Sequence, residues 1–231
     1  MISIFSSFTG FGGSLQVSPI RISLQAEKPI AVMTVQNKTD KPSIIQLNVV
    51  SWQQTMGEDY YLPTREILAT PPIFTIPPGS SQIVRLGLQR QPENIQELAY
   101  RLFLQEVPQS SAREGEINII LRFGIPIFVA PDDNDAHPLV EWRAVLVSPK
   151  KIRLEAINSG NAHIQITNLT ISEKEFSSSA IYQKGMFYIL PKQKRHWYLS
   201  LEKSWPLGTR LKITAQTNTN QLDNEAILVD Y

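Results

Sequence analysis

The chain of 231 residues contains no cysteine. That excludes disulfides, thiolate metal sites and a thiol nucleophile, and it fits a cytosolic or a periplasmic setting equally well. Long apolar runs are missing as well. Hydrophobic residues make up 42% of the chain, yet no stretch approaches the roughly 18 to 20 apolar residues of a membrane-spanning helix. Neither sign of charge predominates. With 22 Lys and Arg against 21 Asp and Glu, the balance gives no reason to expect nucleic acid or an anionic membrane as the main partner. No basic residue precedes Arg21, so Met1 to Leu15 lacks the positive start of a secretory signal. That Gly/Ser-rich stretch, spaced with Ile2, Ile4, Phe5, Phe8 and Phe11, reads either as the mature start of an exported protein or as a mis-assigned start site.

Catalytic constellations are absent too. The three histidines, His137, His163 and His196, are far apart, and none has metal-type spacing to another histidine or a carboxylate. No G-x-S-x-G, H-E-x-x-H, Walker-type or dinucleotide-binding glycine motif occurs. Glu58 and Asp59 suggest an acid–base pair only superficially, because adjacent side chains on a strand point to opposite faces. The expectation is a protein with no enzymatic activity, no cofactor and no metal.

What the sequence does contain is a succession of short strands. Ala31–Gln36, Ile44–Trp52, Gln82–Leu88 and Tyr100–Val107 alternate apolar and polar residues, the period of a half-buried strand. Between them lie turn clusters: Asn37 to Pro42, Met56 to Asp59, Pro71-Pro72 and Pro77-Pro78-Gly79. About seven strands precede the break at Asp132, Asp133 and Asp135, which suits an immunoglobulin-like sandwich. After Pro138 the pattern restarts. Leu139–Leu146, Lys151–Asn158, Ala162–Ser172, Met186–Leu190, Arg195–Leu201, Arg210–Gln216 and Ala226–Val229 read as strands, separated by turns such as Asn158–Asn161 and Trp205–Gly208. The expected architecture is all-β: two immunoglobulin-like sandwiches, residues 14–131 and 138–231, set at an angle with a cleft between them.

The stretch Glu116 to Pro131, E-I-N-I-I-L-R-F-G-I-P-I-F-V-A-P, is the most informative. Ile117, Ile119, Leu121 and Phe123 alternate with Asn118, Ile120, Arg122 and Gly124, and Pro126 marks a place where one backbone N–H cannot join a ladder. Such a strand is either buried on both faces or sits at an edge awaiting a partner. Arg21, Arg85, Arg101 and Arg122 lie within apolar strand patterns, where charge must be paired or solvated. Each points to solvent from an outer face, or one or two of them line the cleft and bind a carboxylate, for which the guanidinium fork is well suited.

Five pieces in order give the first half a family likeness. They are Val17-Ser18-Pro19-Ile20-Arg21, Ala69-Thr70-Pro71-Pro72 with Pro77-Pro78-Gly79, Gln82-Ile83-Val84-Arg85-Leu86, Phe103-Leu104-Gln105-Glu106-Val107-Pro108, and the stretch ending Ile127-Phe128-Val129-Ala130-Pro131. The chain resembles the PapD-like periplasmic chaperones of pilus assembly. Trp52-Gln53-Gln54, Gly57-Glu58-Asp59, Thr64-Arg65 and Ile125-Pro126-Ile127-Phe128 make it most similar to the archaic branch, which assembles spore-coat-U-like subunits. The second half agrees less specifically, through Asn158 to His163 and through Leu190-Pro191 ahead of Arg195-His196-Trp197.

The resemblance implies a periplasmic chaperone that caps pilus or fimbrial subunits and delivers them to an outer-membrane usher. The subunits are incomplete immunoglobulin-like sandwiches, and the chaperone lends them a strand. Ile117, Ile119, Leu121 and Phe123 are then the side chains that enter the subunit, each burial stabilising the complex by about 1.5–3 kcal/mol before association costs, while Ile120 and Phe128 serve the chaperone's own interior. Family members commonly anchor the subunit's C-terminal carboxylate with two basic residues. Arg21 matches the first. Where the second is expected Pro126 stands, so either Arg85 or Arg101 substitutes or the anchor is organised differently. Pro71-Pro72 is expected to contain a cis bond. An unloaded donor edge invites self-pairing, with a second copy or the N-terminal segment as its cap. The alternative reading is a structural pilus subunit or adhesin with immunoglobulin-like domains, its apolar N-terminus serving as a donor extension. An enzyme on a β-sandwich is the third.

Overall fold

The computed structural model describes residues 15–89, 95–108, 120–131, 136–174, 180–218 and 220–230. Among these residues there is no helix. The described residues fall into two compact units. The first takes the chain up to Val50, then 63–89 and Tyr100–Ile127; the second takes Ser51–Leu62, 95–99 and the chain from Phe128 onward.

The described residues up to Pro131 form a sandwich of two sheets, of which Ser51–Leu62, 95–99 and 128–131 count with the second unit. One sheet runs in the order β1 (Leu15–Ser18), β3 (Ile30–Asn37), β8 (Ser81–Leu88), β6 (Ile67–Thr70). Its register sets Val32 opposite Arg85, and Arg85 opposite Thr70. The other sheet has the order β2 (Ile22–Leu24), β10 (Arg122–Val129), β9 (Leu98–Val107), β4 (Ser43–Thr55), β5 (Glu58–Pro63), with β7 (Ile73–Ile76) also on β4. Alternation decides what is inside. Met33, Val35, Val84 and Leu86 are buried from the first sheet, and Ile45, Tyr100, Leu102, Leu104, Ile125 and Ile127 from the second. Charged and polar alternates face outward, as period-2 patterning requires.

Several strands differ from the sequence expectation, for physical reasons. The chain leaves the first sheet at the end of β6, which pairs with β8, and enters the second at β7, which pairs with β4. Pro71-Pro72 is that crossing, so it divides two four-residue strands too short to be read from periodicity. The cis bond lies at Thr70–Pro71, one peptide before the proline pair, and a second lies at Ser18–Pro19. Met56 and Gly57, with φ of 54° and 88°, make the tight two-residue turn that favours positive φ at both positions. They join β4 to β5 rather than ending the sheet there.

The second unit contributes β11 (Val140–Ser148), β12 (Lys151–Asn158), β13 (Ile164–Glu173), β14 (Ile181–Ile189), β15 (Lys194–Ser200), β16 (Arg210–Thr217) and β17 (Gln221–Asp230), in the order β14-β13-β16-β17-β11-β12-β15. Its core packs Trp197, Leu154, Ile166, Ile171, Leu211 and Leu228, among others. Each unit holds one buried asparagine that organises a turn. Asn37 donates to the carbonyls of Lys41 and Ile76 and accepts from the N–H and hydroxyl of Thr39. Asn158 donates to the carbonyls of Ala162 and Ile189 and accepts from the N–H groups of Leu139 and Gly160. A buried amide is stable only when its donors and acceptor are satisfied in this way. The two turn clusters read from the sequence are therefore fixed from inside.

Candidate functional site

Strand β10 changes character along its length. Ile125, Pro126, Ile127, Phe128 and Val129 are all buried, whereas Arg122 and Gly124 are exposed and Phe123 is half-buried. Leu121, just ahead of the strand, is half-buried, and Ile120 is 48% exposed. The question of burial or vacancy thus has both answers on one strand. Pro126 stands in the buried half, where its missing N–H interrupts a ladder already walled by neighbours.

Of the expected donor residues, Ile117 and Ile119 lie outside the described residues. Leu121 and Phe123 share one face, alternating with Ile120, Arg122 and Gly124 on the other. Ile120, expected inside, is exposed instead: at the strand's beginning the outward face carries it beside Arg122. Phe128 is interior as expected. It packs with Trp52, Tyr188 and Leu190 in the second unit, and the imidazole of His163 lies flat on it at 3.5 Å between centroids.

The sheet order also bears on availability. On one side β10 pairs with β9. On the other its neighbour among the described residues is β2, three residues long against the eight of β10. An incompletely paired strand with apolar alternates is a template for another chain.

Arg85 and Arg101 do not converge. Arg21 is exposed in the turn between β1 and β2. Arg85 alternates with buried Val84 and Leu86 on the first sheet, and Arg101 alternates with buried Tyr100 and Leu102 on the second. The two therefore project outward from different sheets. Arg101 donates from Nη1 to the carbonyl of Gly124 at 3.2 Å, and the guanidinium of Arg122 lies 3.9 Å over the ring of Phe103.

The other polar residues singled out have structural partners. Asp59 accepts from the indole N–H of Trp52 at 3.0 Å and from Gln54 at 2.8 Å. Gln54 in turn donates to the carbonyl of Tyr188 and accepts from the N–H of Leu190. Nδ1 of His163 is 2.6 Å from a carboxylate oxygen of Glu97, which also accepts the His163 backbone N–H. Sequence reasoning missed this pairing because 66 residues separate the partners, and Glu97 sits in a segment without periodicity. Among the described residues no group of three His, Cys, Asp or Glu is placed to hold a metal ion.

The described residues form two all-β units, and β10 is buried over Ile125–Val129 and exposed at Arg122 and Gly124. The comparisons with known proteins make the assignment narrower. Residues 14–134 match the family of pili and flagellar-assembly chaperones over its PapD N-terminal domain, and the chain belongs to that family. No curated protein matches it in sequence. Among solved structures it is similar to a chain of the CsuC–CsuE chaperone–tip adhesion subunit pre-assembly complex from the archaic chaperone–usher Csu pili of Acinetobacter baumannii, with a TM-score of 0.71, 17% identity, and coverage of 95% of this chain and 100% of that one. The YadV chaperone gives 0.65 at 17% identity, covering 94% and 100%. A chain of the SafA pilin–SafB chaperone complex of Salmonella enterica gives 0.62 at 14%, covering 93% and 96%. At these identities the likeness is one of fold.

Proposed function

We propose that this chain is a periplasmic, non-enzymatic chaperone that lends the stretch Ile117 to Phe123 to pilus subunits built as incomplete immunoglobulin-like sandwiches. It holds them competent for assembly and passes them to an outer-membrane usher. The mode is β-augmentation, of which chaperone–pilin donor-strand complementation is an established instance. Main-chain hydrogen bonds supply affinity. Alternate side chains, Ile117, Ile119, Leu121 and Phe123, fill the pockets of the subunit. The observation that carries the reading is the change in β10 from a buried half at Ile125–Val129 to an open half at Arg122–Gly124, with Leu121 and Phe123 on one face. Family membership and the solved complexes of similar chaperones with a tip adhesion subunit and a pilin support it.

Arg21, exposed beside the start of β2, is the first choice to bind the subunit's terminal carboxylate. Arg85 and Arg101 stand on different sheets, so no more than one of them joins it. The unloaded strand pairs with a second copy of the chain. The test is co-expression with a spore-coat-U-like pilus subunit. A 1:1 complex is expected, with the subunit degraded when expressed alone. Ile119→Asp together with Leu121→Asp should abolish the complex while the chaperone stays folded. If the double variant unfolds, these side chains belong to the chaperone's own core and the reading is wrong.

A further inference from the structure

We propose that Phe103, Arg101, Arg122 and Gly124 form a clamp that positions the donor stretch as it leaves the sandwich. The inference rests on the donor-strand reading above. The four residues meet on the outward face of β9 and β10, opposite the face that carries Leu121 and Phe123. Arg122 lays its guanidinium over the Phe103 ring at 3.9 Å from the centroid. The same ring lies close over Gly124: a Cβ there would stand 3.3 Å from Cε1 of Phe103 and 3.5 Å from Cδ of Arg101. Arg101 then donates to the Gly124 carbonyl at 3.2 Å. One residue further out, the N–H of Glu106 donates to the carbonyl of Leu121 at 3.1 Å. Strand β9 therefore grips residues 121–124 by an aromatic face, a guanidinium and a backbone donor in succession.

The clamp acts at the point where burial ends. On one side of it, Ile125–Val129 are held by core packing; on the other it overlaps the end of the lent stretch, Leu121 to Phe123, from the outward face. A strand that must enter a groove pays to be ordered in one direction and register, and fixing that direction beforehand reduces the cost. A Cβ at position 124 would require the ring to give by a few tenths of an ångström, and the glycine lets it lie this close. The cation over the ring supplies attraction without burying the charge, since Arg122 stays exposed. A simpler role for Arg122, a charge that merely guards an edge against aggregation, predicts no dependence on the ring.

The experiment uses the intact chain and the co-expressed subunit. Arg122→Gln and Phe103→Leu should each weaken capture about threefold, the size expected on losing an exposed cation–π contact. Each should also speed amide exchange at Arg122–Ile125 in the free chain, with the thermal midpoint unchanged. Arg122→Lys and Phe103→Tyr, which preserve the cation and the ring, should restore both. Capture and exchange indifferent to Arg122→Gln would overturn the clamp, as would failure of Arg122→Lys to rescue. Should Phe103→Leu disturb folding, core amides of β3 and β8 will report it, and exposed Arg122 keeps the test decisive. Leu121→Asp separates the two claims. If it leaves capture intact, the donor-strand reading fails; if it abolishes capture while Arg122→Gln does nothing, only the clamp does.

Discussion

The last strands of the two sandwiches, β10 and β17, treat a free side in opposite ways. Along Gln221–Ile227, β17 pairs with β16, and it meets β11 only at Leu228–Asp230. Its outward positions are guarded by charge. Asp223 accepts hydrogen bonds from Thr214 at 2.7 Å and Gln221 at 3.0 Å, and Glu225 pairs with Lys174 at 2.6 Å. Strand β10, beside the short β2, presents Leu121 and Phe123 instead. Charged edges resist pairing with foreign strands, and apolar edges invite it. The two strands thus differ in what stands along them, charge on β17 and apolar side chains at the start of β10.

The sharpest way to break this comparison is within β10. Ile127→Ala should cost about 2–5 kcal/mol in urea unfolding, because it opens a cavity in the buried half, while Phe123→Ala should cost less than about 1.5 kcal/mol. Equal costs would mean that the strand is core throughout. Next in size, Asp223→Val with Glu225→Val should turn β17 into a sticky edge. Made in the Ile119→Asp/Leu121→Asp background, it should produce self-association in sedimentation; a monomer would show that charge is not what keeps β17 closed.

The smallest effect is electrostatic. The hydrogen bond from Thr214, followed by that from Gln221, holds the Asp223 carboxyl below the usual carboxylate range, and Lys174 does the same for Glu225. A lowered carboxyl contributes stability above its unfolded pKa and loses it as the pH falls through the folded value. Thr214→Val should therefore move the Asp223 titration, followed by NMR, back up toward the ordinary range. Both groups are fully exposed, so any accompanying change in acid unfolding should be slight.

Much of the fold was legible because period-2 alternation survives wherever one strand face is wet. Lys151–Asn158 has the bounds read from its sequence, and β3, β8 and β16 differ by a residue or so at an end. Strands β6 and β7 were hidden because four residues on either side of a proline pair show too little alternation, and β5 because all its residues are exposed. The compact units were harder still. Trp52 and Gln54 fall in the second unit through contacts with Phe128, Tyr188 and Leu190, and local pattern carries no record of partners so distant in the chain. At the site, the alternation of Leu121 and Phe123 was visible from the chain. The outward stack of Phe103, Arg122 and Gly124 was not, since it joins residues of two different strands, and Ile120 was placed on the wrong face.

The most direct measurement is photo-crosslinking in the co-expressed complex, with a photoreactive residue placed at Leu121 in one variant and at Asp223 in another. The account predicts a 1:1 adduct with the subunit from position 121 and none from position 223. Adducts of equal yield from both, or from position 223 alone, would contradict it.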